Sequence, residues 1–121
     1  TGKESEHDYL RSIGAAEIIS RNAVNDTSGR PLLRSQWAGA IDTVGDNTLA
    51  TCIKACGRNG NIAVCGLVQS EELNTTVYPF ILNGVNRCCS SHRQKALYLD
   101  INVPLVDSTT EDLLLLFVVR I

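Results

Sequence analysis

The chain has 121 residues, 44% of them apolar and 20% charged, a mixture that makes one globular domain or a piece of one and excludes a disordered chain. Its formal charge of -2 gives no general attraction for nucleic acid or an anionic membrane, so the expected partner is a small molecule held by a few local cations. No run reaches the roughly 18 apolar residues of a membrane span, and the polar amino terminus lacks the apolar centre of a signal peptide, so the chain reads as soluble and cytoplasmic.

The opening stretch "TGKESEHDYLRSIGA" reads as a polar turn followed by a helix from about Glu6. Ser5 and Asp8 resemble a capping box, Tyr9, Leu10 and Ile13 supply an apolar side, and Gly14 suits the left-handed residue that stops a helix. His7 is expected on an exposed helix turn, with no role as an acid. "AEIIS", Ala16 to Ser20, predicts a short buried strand. Asn22 to Arg34, rich in Asn, Asp, Ser, Gly and Pro, predicts a surface connection with one helical turn around Leu32 to Gln36.

"GAIDTVG", from Gly39, predicts a second strand. Leu49, Cys52, Ile53 and Cys56 then fall at i, i+3, i+4 and i+7 of an amphipathic helix, with Gly57 as its stop. "NIAVCGL", from Asn61, predicts a third strand in which Cys65 is buried. The apolar runs are continuous, as in strands covered on both faces.

The five cysteines are an odd number, and Cys52 and Cys56 read as small apolar groups on one stripe. They stand four apart rather than in a Cys-x-x-Cys pair, and His7 and His92 are far from both, so the spacing argues against structural zinc. Adjacent Cys88 and Cys89 read as inert thiols.

Strands alternating with helices at this spacing predict parallel pairing through right-handed crossovers, hence an α/β fold with a doubly wound sheet. Ser20 and Arg21, Asp42 to Gly45, and Cys65 to Leu67 then lie at the carboxyl ends of neighbouring strands, the expected position of a binding crevice.

"TGKESEHDYLRSIGA", "WAGAIDTVGD" and "VCGL" followed by "TTVYPFILNGV" resemble the nucleotide-binding domain of the medium-chain dehydrogenase/reductase superfamily. They are similar in particular to its zinc-independent, quinone-oxidoreductase-like branch, which includes the acrylyl-CoA reductases. The resemblance covers residues 1–85 and implies part of an NADP-binding Rossmann domain, serving NADPH-dependent reduction of an activated carbon-carbon double bond by hydride transfer, without metal. In that family the stretch from Thr1 follows the second strand, and a glycine-rich turn lies upstream. This sequence holds no G-x-G-x-x-G, so the expectation is a partial Rossmann-type sheet lacking the first strand and that turn, with no catalytic activity of its own.

The same resemblance assigns cofactor-binding residues. Enzymes that take NAD place an acidic residue on the ribose hydroxyls, whereas a 2′-phosphate calls for small donors and a cation. Thr1 offers a hydroxyl, Gly2 lets the backbone approach, and Lys3 brings a charge to the mouth of a helix. Arg21 reaches for the same phosphate from the next strand end. Leu67 and Ile81 resemble positions near the nicotinamide, with core packing as the plain alternative. Asp42, Thr43 and Gly45 suit a wall beside the adenosine, although Asp42 reads slightly more as a structural cap. No catalytic residue is assigned.

From Asn86 the resemblance fails. "NRCCSSHRQKALYLD" is polar where the family continues with an apolar strand, and residues 86–121 form a divergent segment ending in the apolar "EDLLLLFVVRI". Family dimers join along the sheet edge nearby, so the resemblance implies a homodimer through that edge. NAD as cofactor and a non-catalytic assembly domain are the alternative readings.

Overall fold

The computed structural model describes residues 3–89 and 116–120. Its elements in chain order are a 3-10 turn Glu4–Glu6, α1 (His7–Ser12), a second 3-10 turn Arg21–Val24, β1 (Trp37–Asp42), α2 (Asp46–Lys54), β2 (Cys56–Val64), α3 (Tyr78–Asn83), β3 (Asn86–Cys89) and β4 (Leu116–Arg120). The sheet order is β3-β2-β1-β4. Strands β1, β2 and β3 are mutually parallel, with α2 and α3 in the two crossovers, and β4 lies antiparallel on the far edge of β1. The fold is α/β, a Rossmann-type fragment as the sequence predicts.

Helix α2 is the centre of the packing. Its Leu49, Cys52 and Ile53 meet Ala40 of β1, Cys56 and Ile62 of β2 and Val85, with Val64, Leu73 and Phe80 at the margin. A smaller cluster joins Val24, Trp37 and Ala55, flanked by Ile19 and Leu33. Close strand approach matters where β1 bulges against β2: a Cβ on Gly39 would stand 2.7 Å from the Asn61 carbonyl oxygen.

Several local expectations are corrected. Ala16 to Ser20 forms no strand. Both edges of β1 are taken by β2 and β4, and Ile19 instead packs at the rim of the smaller cluster. Helix α2 ends at Lys54, two residues earlier than the stripe implies, and Cys56 already belongs to β2. No glycine stops it. The carbonyls of Lys54 and Ala55 accept the amides of Leu33 (3.0 Å) and Gln36 (2.9 Å), which gives two carbonyls at the helix end their partners. The helical turn expected around Leu32 to Gln36 does not form, and Leu33 and Gln36 give their amides to the end of α2 instead.

At the amino end the capping box is absent, since Ser5 turns its hydroxyl to Glu6 Oε1 at 3.5 Å and α1 begins at His7, half-buried. Gly14 does end α1, at φ +104°, with the amides of Gly14 and Ala15 bonded to the carbonyls of Arg11 and Leu10. The sheet is not covered on both faces along its length, because Ala38 of β1 and Arg58, Asn59 and Asn61 of β2 are exposed. Those three polar side chains of β2 keep their water.

One ion pair ties the loop after the second 3-10 turn to α2. The buried Lys54 ammonium meets Asp26 Oδ2 at 2.5 Å, and the Asp26 amide bonds Thr51 Oγ1 at 2.9 Å. The hydrogen bond from Lys54, then that from Ser28, holds the Asp26 carboxyl down at about 2. Because this folded value lies below the unfolded one, the contribution is complete above about pH 4 and is lost as pH falls toward 2. With solvent screening it amounts to about 1 to 2 kcal/mol. Urea midpoints measured from pH 6 to pH 2.5 should fall less steeply in Asp26→Asn than in the wild type; parallel curves would remove the pair from the account.

Candidate functional site

The carboxyl ends of β1 and β2 meet backbone to backbone. The amide of Cys65, just past β2, bonds the carbonyl of Asp42 at 2.9 Å, and the amide of Gln69 bonds that of Val44 at 2.9 Å. A parallel bridge joins Gly45 to Ser70. No side chain separates the two layers: a Cβ on Gly45 would stand 2.5 Å from the Ser70 oxygen, and one on Gly66 would run into the Thr43 backbone. Of the three groups expected at neighbouring strand ends, Asp42–Gly45 and Cys65–Leu67 are brought together, whereas Ser20 and Arg21 follow no strand and stand at the second 3-10 turn.

Asp42 shapes the first layer. Its side chain is fully buried, with Oδ1 accepting the Val44 amide at 3.3 Å and Oδ2 the Gly45 amide at 2.9 Å. Burial pushes its carboxyl above the ordinary value, while the Gly45 and Val44 amides pull in the opposite direction. The chain then turns at Gly45, φ 79° and ψ −161°, a conformation open in practice to glycine alone, and enters α2, whose Leu49 amide returns to the Gly45 carbonyl. Asp42 has a structural role, but it forms the turn before α2 rather than capping the helix, whose N-cap is Gly45 without a side-chain bond. The signal was an Asp at a strand end followed by a glycine three residues on, which marks side-chain bonding to nearby amides.

The buried thiols of Cys52 and Cys56 are poor nucleophiles. Burial, then nearby Asp42 and Cys56, pushes Cys52 up to about 12, and burial also raises Cys56. Cys65 is exposed rather than buried in a strand, because β2 ends at Val64; its Sγ lies 3.4 Å from the Asp42 carbonyl oxygen. Among the described residues no group of three or more His, Cys, Asp or Glu side chains could hold a metal ion, and no helix is long and apolar enough to cross a membrane.

Of the residues assigned to the cofactor, Thr1 and Gly2 lie outside the described ones. Lys3 is exposed at the start of the Glu4–Glu6 turn, whose main neighbour is α1. Arg21 is exposed at the start of the second 3-10 turn, whose main neighbour is α2. That turn is fastened by Asn47, whose amide group bonds Asn25 Oδ1 at 2.5 Å and the Asp26 carbonyl at 3.0 Å. Leu67 follows β2 at 63% exposure and Ile81 sits on α3 at 68%. Neither belongs to the core of the described residues. Gln69 and Ser70, which complete the second layer, carried no signal beyond their nearness to Leu67.

No family model matches the chain. Among characterised sequences it is 46% identical over 85 residues to "Probable acrylyl-CoA reductase AcuI" of Escherichia coli (strain K12), and 44% identical over 86 residues to "Putative quinone oxidoreductase YhfP" of Bacillus subtilis (strain 168). These matches cover 70% and 71% of this chain but 26% of each relative, so the chain spans about a quarter of their length. Among solved structures, E. coli K-12 YhdH with bound NADPH superposes at a TM-score of 0.71 with 43% identity, over 75% of this chain and 28% of that one. Bacillus subtilis YhfP with NAD bound gives a TM-score of 0.71 and 41% identity, over 74% and 27%. With its parallel β1-α2-β2-α3-β3 succession and its joined strand ends, the chain belongs to the zinc-independent, quinone-oxidoreductase-like branch of the medium-chain dehydrogenase/reductase superfamily, as a fragment of the nucleotide-binding domain.

Proposed function

We propose that residues 1–85 form part of the NADP-binding domain of a cytoplasmic, NADPH-dependent reductase that acts on an activated carbon-carbon double bond of an acrylyl-CoA- or quinone-type substrate. The observation that carries this reading is the likeness, at 43% identity, to a chain that holds NADPH, over the region where the β1 and β2 ends join. The residues present suit the cofactor. Lys3 and Arg21 are exposed cations beside short helical turns, and Leu67 and Ile81 are large apolar side chains left at 63% and 68% exposure, ready for an apolar ring to cover.

NADPH, when bound, supplies the hydride. Thr1, Gly2, Lys3 and Arg21 hold its 2′-phosphate, Leu67 and Ile81 lie toward the nicotinamide, and the Thr43–Gly45 backbone walls the adenosine. A second reading, with NAD as cofactor, draws on the likeness to YhfP with NAD bound. Two copies associate along a sheet edge, where β3 is an outer strand of the described sheet, a point that light scattering decides.

Titrating the complete reading frame with NADPH and with NADH tests the cofactor assignment. The wild type should favour NADPH, and Lys3→Glu should reverse that preference. Losing a charge-assisted contact to phosphate weakens NADPH roughly 10- to 100-fold. An unchanged ratio in the variant removes Lys3 from the site, and equal wild-type affinities favour the NAD reading.

A further inference from the structure

We infer that Asp42 is a positioning residue for the nucleotide, whose buried carboxylate fixes the two backbone layers, Thr43–Gly45 and Cys65–Leu67, against each other. The inference rests on the nucleotide-binding reading above and assigns a task to a side chain that does not itself reach the crevice. Three bonds make the case. Both carboxylate oxygens are spent on backbone amides of one turn, at 3.3 Å from Val44 and 2.9 Å from Gly45, and the same residue's carbonyl takes the Cys65 amide at 2.9 Å. Asp42 thereby ties the end of β1, the entry to α2 and the segment after β2 at a single residue.

Stability does not call for a carboxylate there. A fully buried acidic group bonded only to amides carries a desolvation penalty that an apolar residue of the same size would avoid. Geometry does call for one. Two amides converge on the side chain, and only a carboxylate of this length offers an acceptor to each; asparagine has one oxygen, and its amide group would face an N–H with another N–H. The glycines at 45 and 66 remove every spacer from the contact, so a turn loosened at Asp42 shifts the second layer as well.

Hydrogen exchange on the complete protein, compared for the wild type, Asp42→Asn and Asp42→Ala, tests this. In Asp42→Asn the Val44 and Gly45 amides should exchange about tenfold faster, as expected for loss of one buried bond, while the Ile53 and Ile62 amides keep their protection. Asp42→Asn should protect Gly45 better than Asp42→Ala does, since one acceptor survives. Should the core amides accelerate equally, or none accelerate, the positioning role is overturned; if Asp42→Ala does not fold, Asp42→Asn alone decides.

NADPH affinity is read in parallel. A Kd weakened about tenfold, with the core amides unmoved, supports the inference. A variant that binds as tightly as the wild type despite its loosened turn overturns it. A wild type that binds neither nucleotide instead sinks the functional reading, and with it the link to a cofactor, while the exchange data still report whether Asp42 holds the turn.

Discussion

Gly45→Ala is expected to lower the unfolding free energy by about 2 to 4 kcal/mol, a fall in Tm of roughly 10 to 20 °C. Two separate penalties add. The backbone at φ 79° and ψ −161° is strained for any residue with a Cβ, by about 1 to 3 kcal/mol. The new methyl also stands 2.5 Å from the Ser70 oxygen, in a backbone contact that yields only if the two strand ends part, which adds about 1 kcal/mol or more. Two controls divide the terms. Gly14→Ala changes a residue at φ +104° with nothing within 4 Å of its Cβ, so it keeps the backbone term alone. Gly66→Ala has no positive φ and keeps the collision with Thr43. Urea unfolding followed by circular dichroism orders the three, and a Gly45→Ala loss no larger than that of Gly14→Ala would mean that the two layers are not locked together.

Ile53→Ala is expected to destabilise by about 3 to 4 kcal/mol. Ile53 is fully buried where α2 meets β1 and β2. Truncation removes three carbons, about 2.4 kcal/mol of transfer free energy, and leaves a hole whose walls are held by the sheet on one side and the helix on the other. Ile53→Val, which removes one carbon, should lose about 1 kcal/mol. Because the loss belongs to the folded state, the urea midpoint should fall while the slope of the transition stays the same. A loss below about 1 kcal/mol for the alanine variant would show that the core closes over the gap.

The core was legible in part, because one stripe of α2 is apolar, although Thr48, Ala50, Thr51 and Lys54 on the rest of the helix are buried as well. Leu49, Cys52 and Ile53 repeat at helical spacing for the same reason that they contact Ala40 and Ile62. The helix end was not legible. Cys56 keeps the helical phase by coincidence while standing in a strand, and the groups that terminate α2 are the amides of Leu33 and Gln36, whose approach no local pattern encodes. "AEIIS" shows a second limit. Its composition suits a strand, but β2 and β4 hold both edges of β1, and Ile19 packs instead against the Val24, Trp37 and Ala55 cluster.

The candidate site divides the same way. Asp-Thr-Val-Gly and Cys-Gly-Leu marked two strand ends, and parallel topology obliged them to be neighbours. What the residues could not show was how closely they touch, since that depends on two glycines in different loops meeting each other's backbones. Leu67 and Ile81 were divided between ligand wall and core, a difference of burial that residue type does not encode; both are exposed among the described residues.

The chain carries one tryptophan, Trp37, at 2% exposure, and its indole nitrogen finds no hydrogen-bond partner among the described residues. It opens β1, the strand that Asp42 closes, so about 17 Å of extended chain separates the two. A dry indole emits at short wavelength and moves to the red when water reaches it. Its fluorescence therefore monitors the integrity of the Val24 and Ala55 cluster from the end of the strand remote from the crevice, so that a denatured scaffold and a vacated binding surface give separate optical signatures.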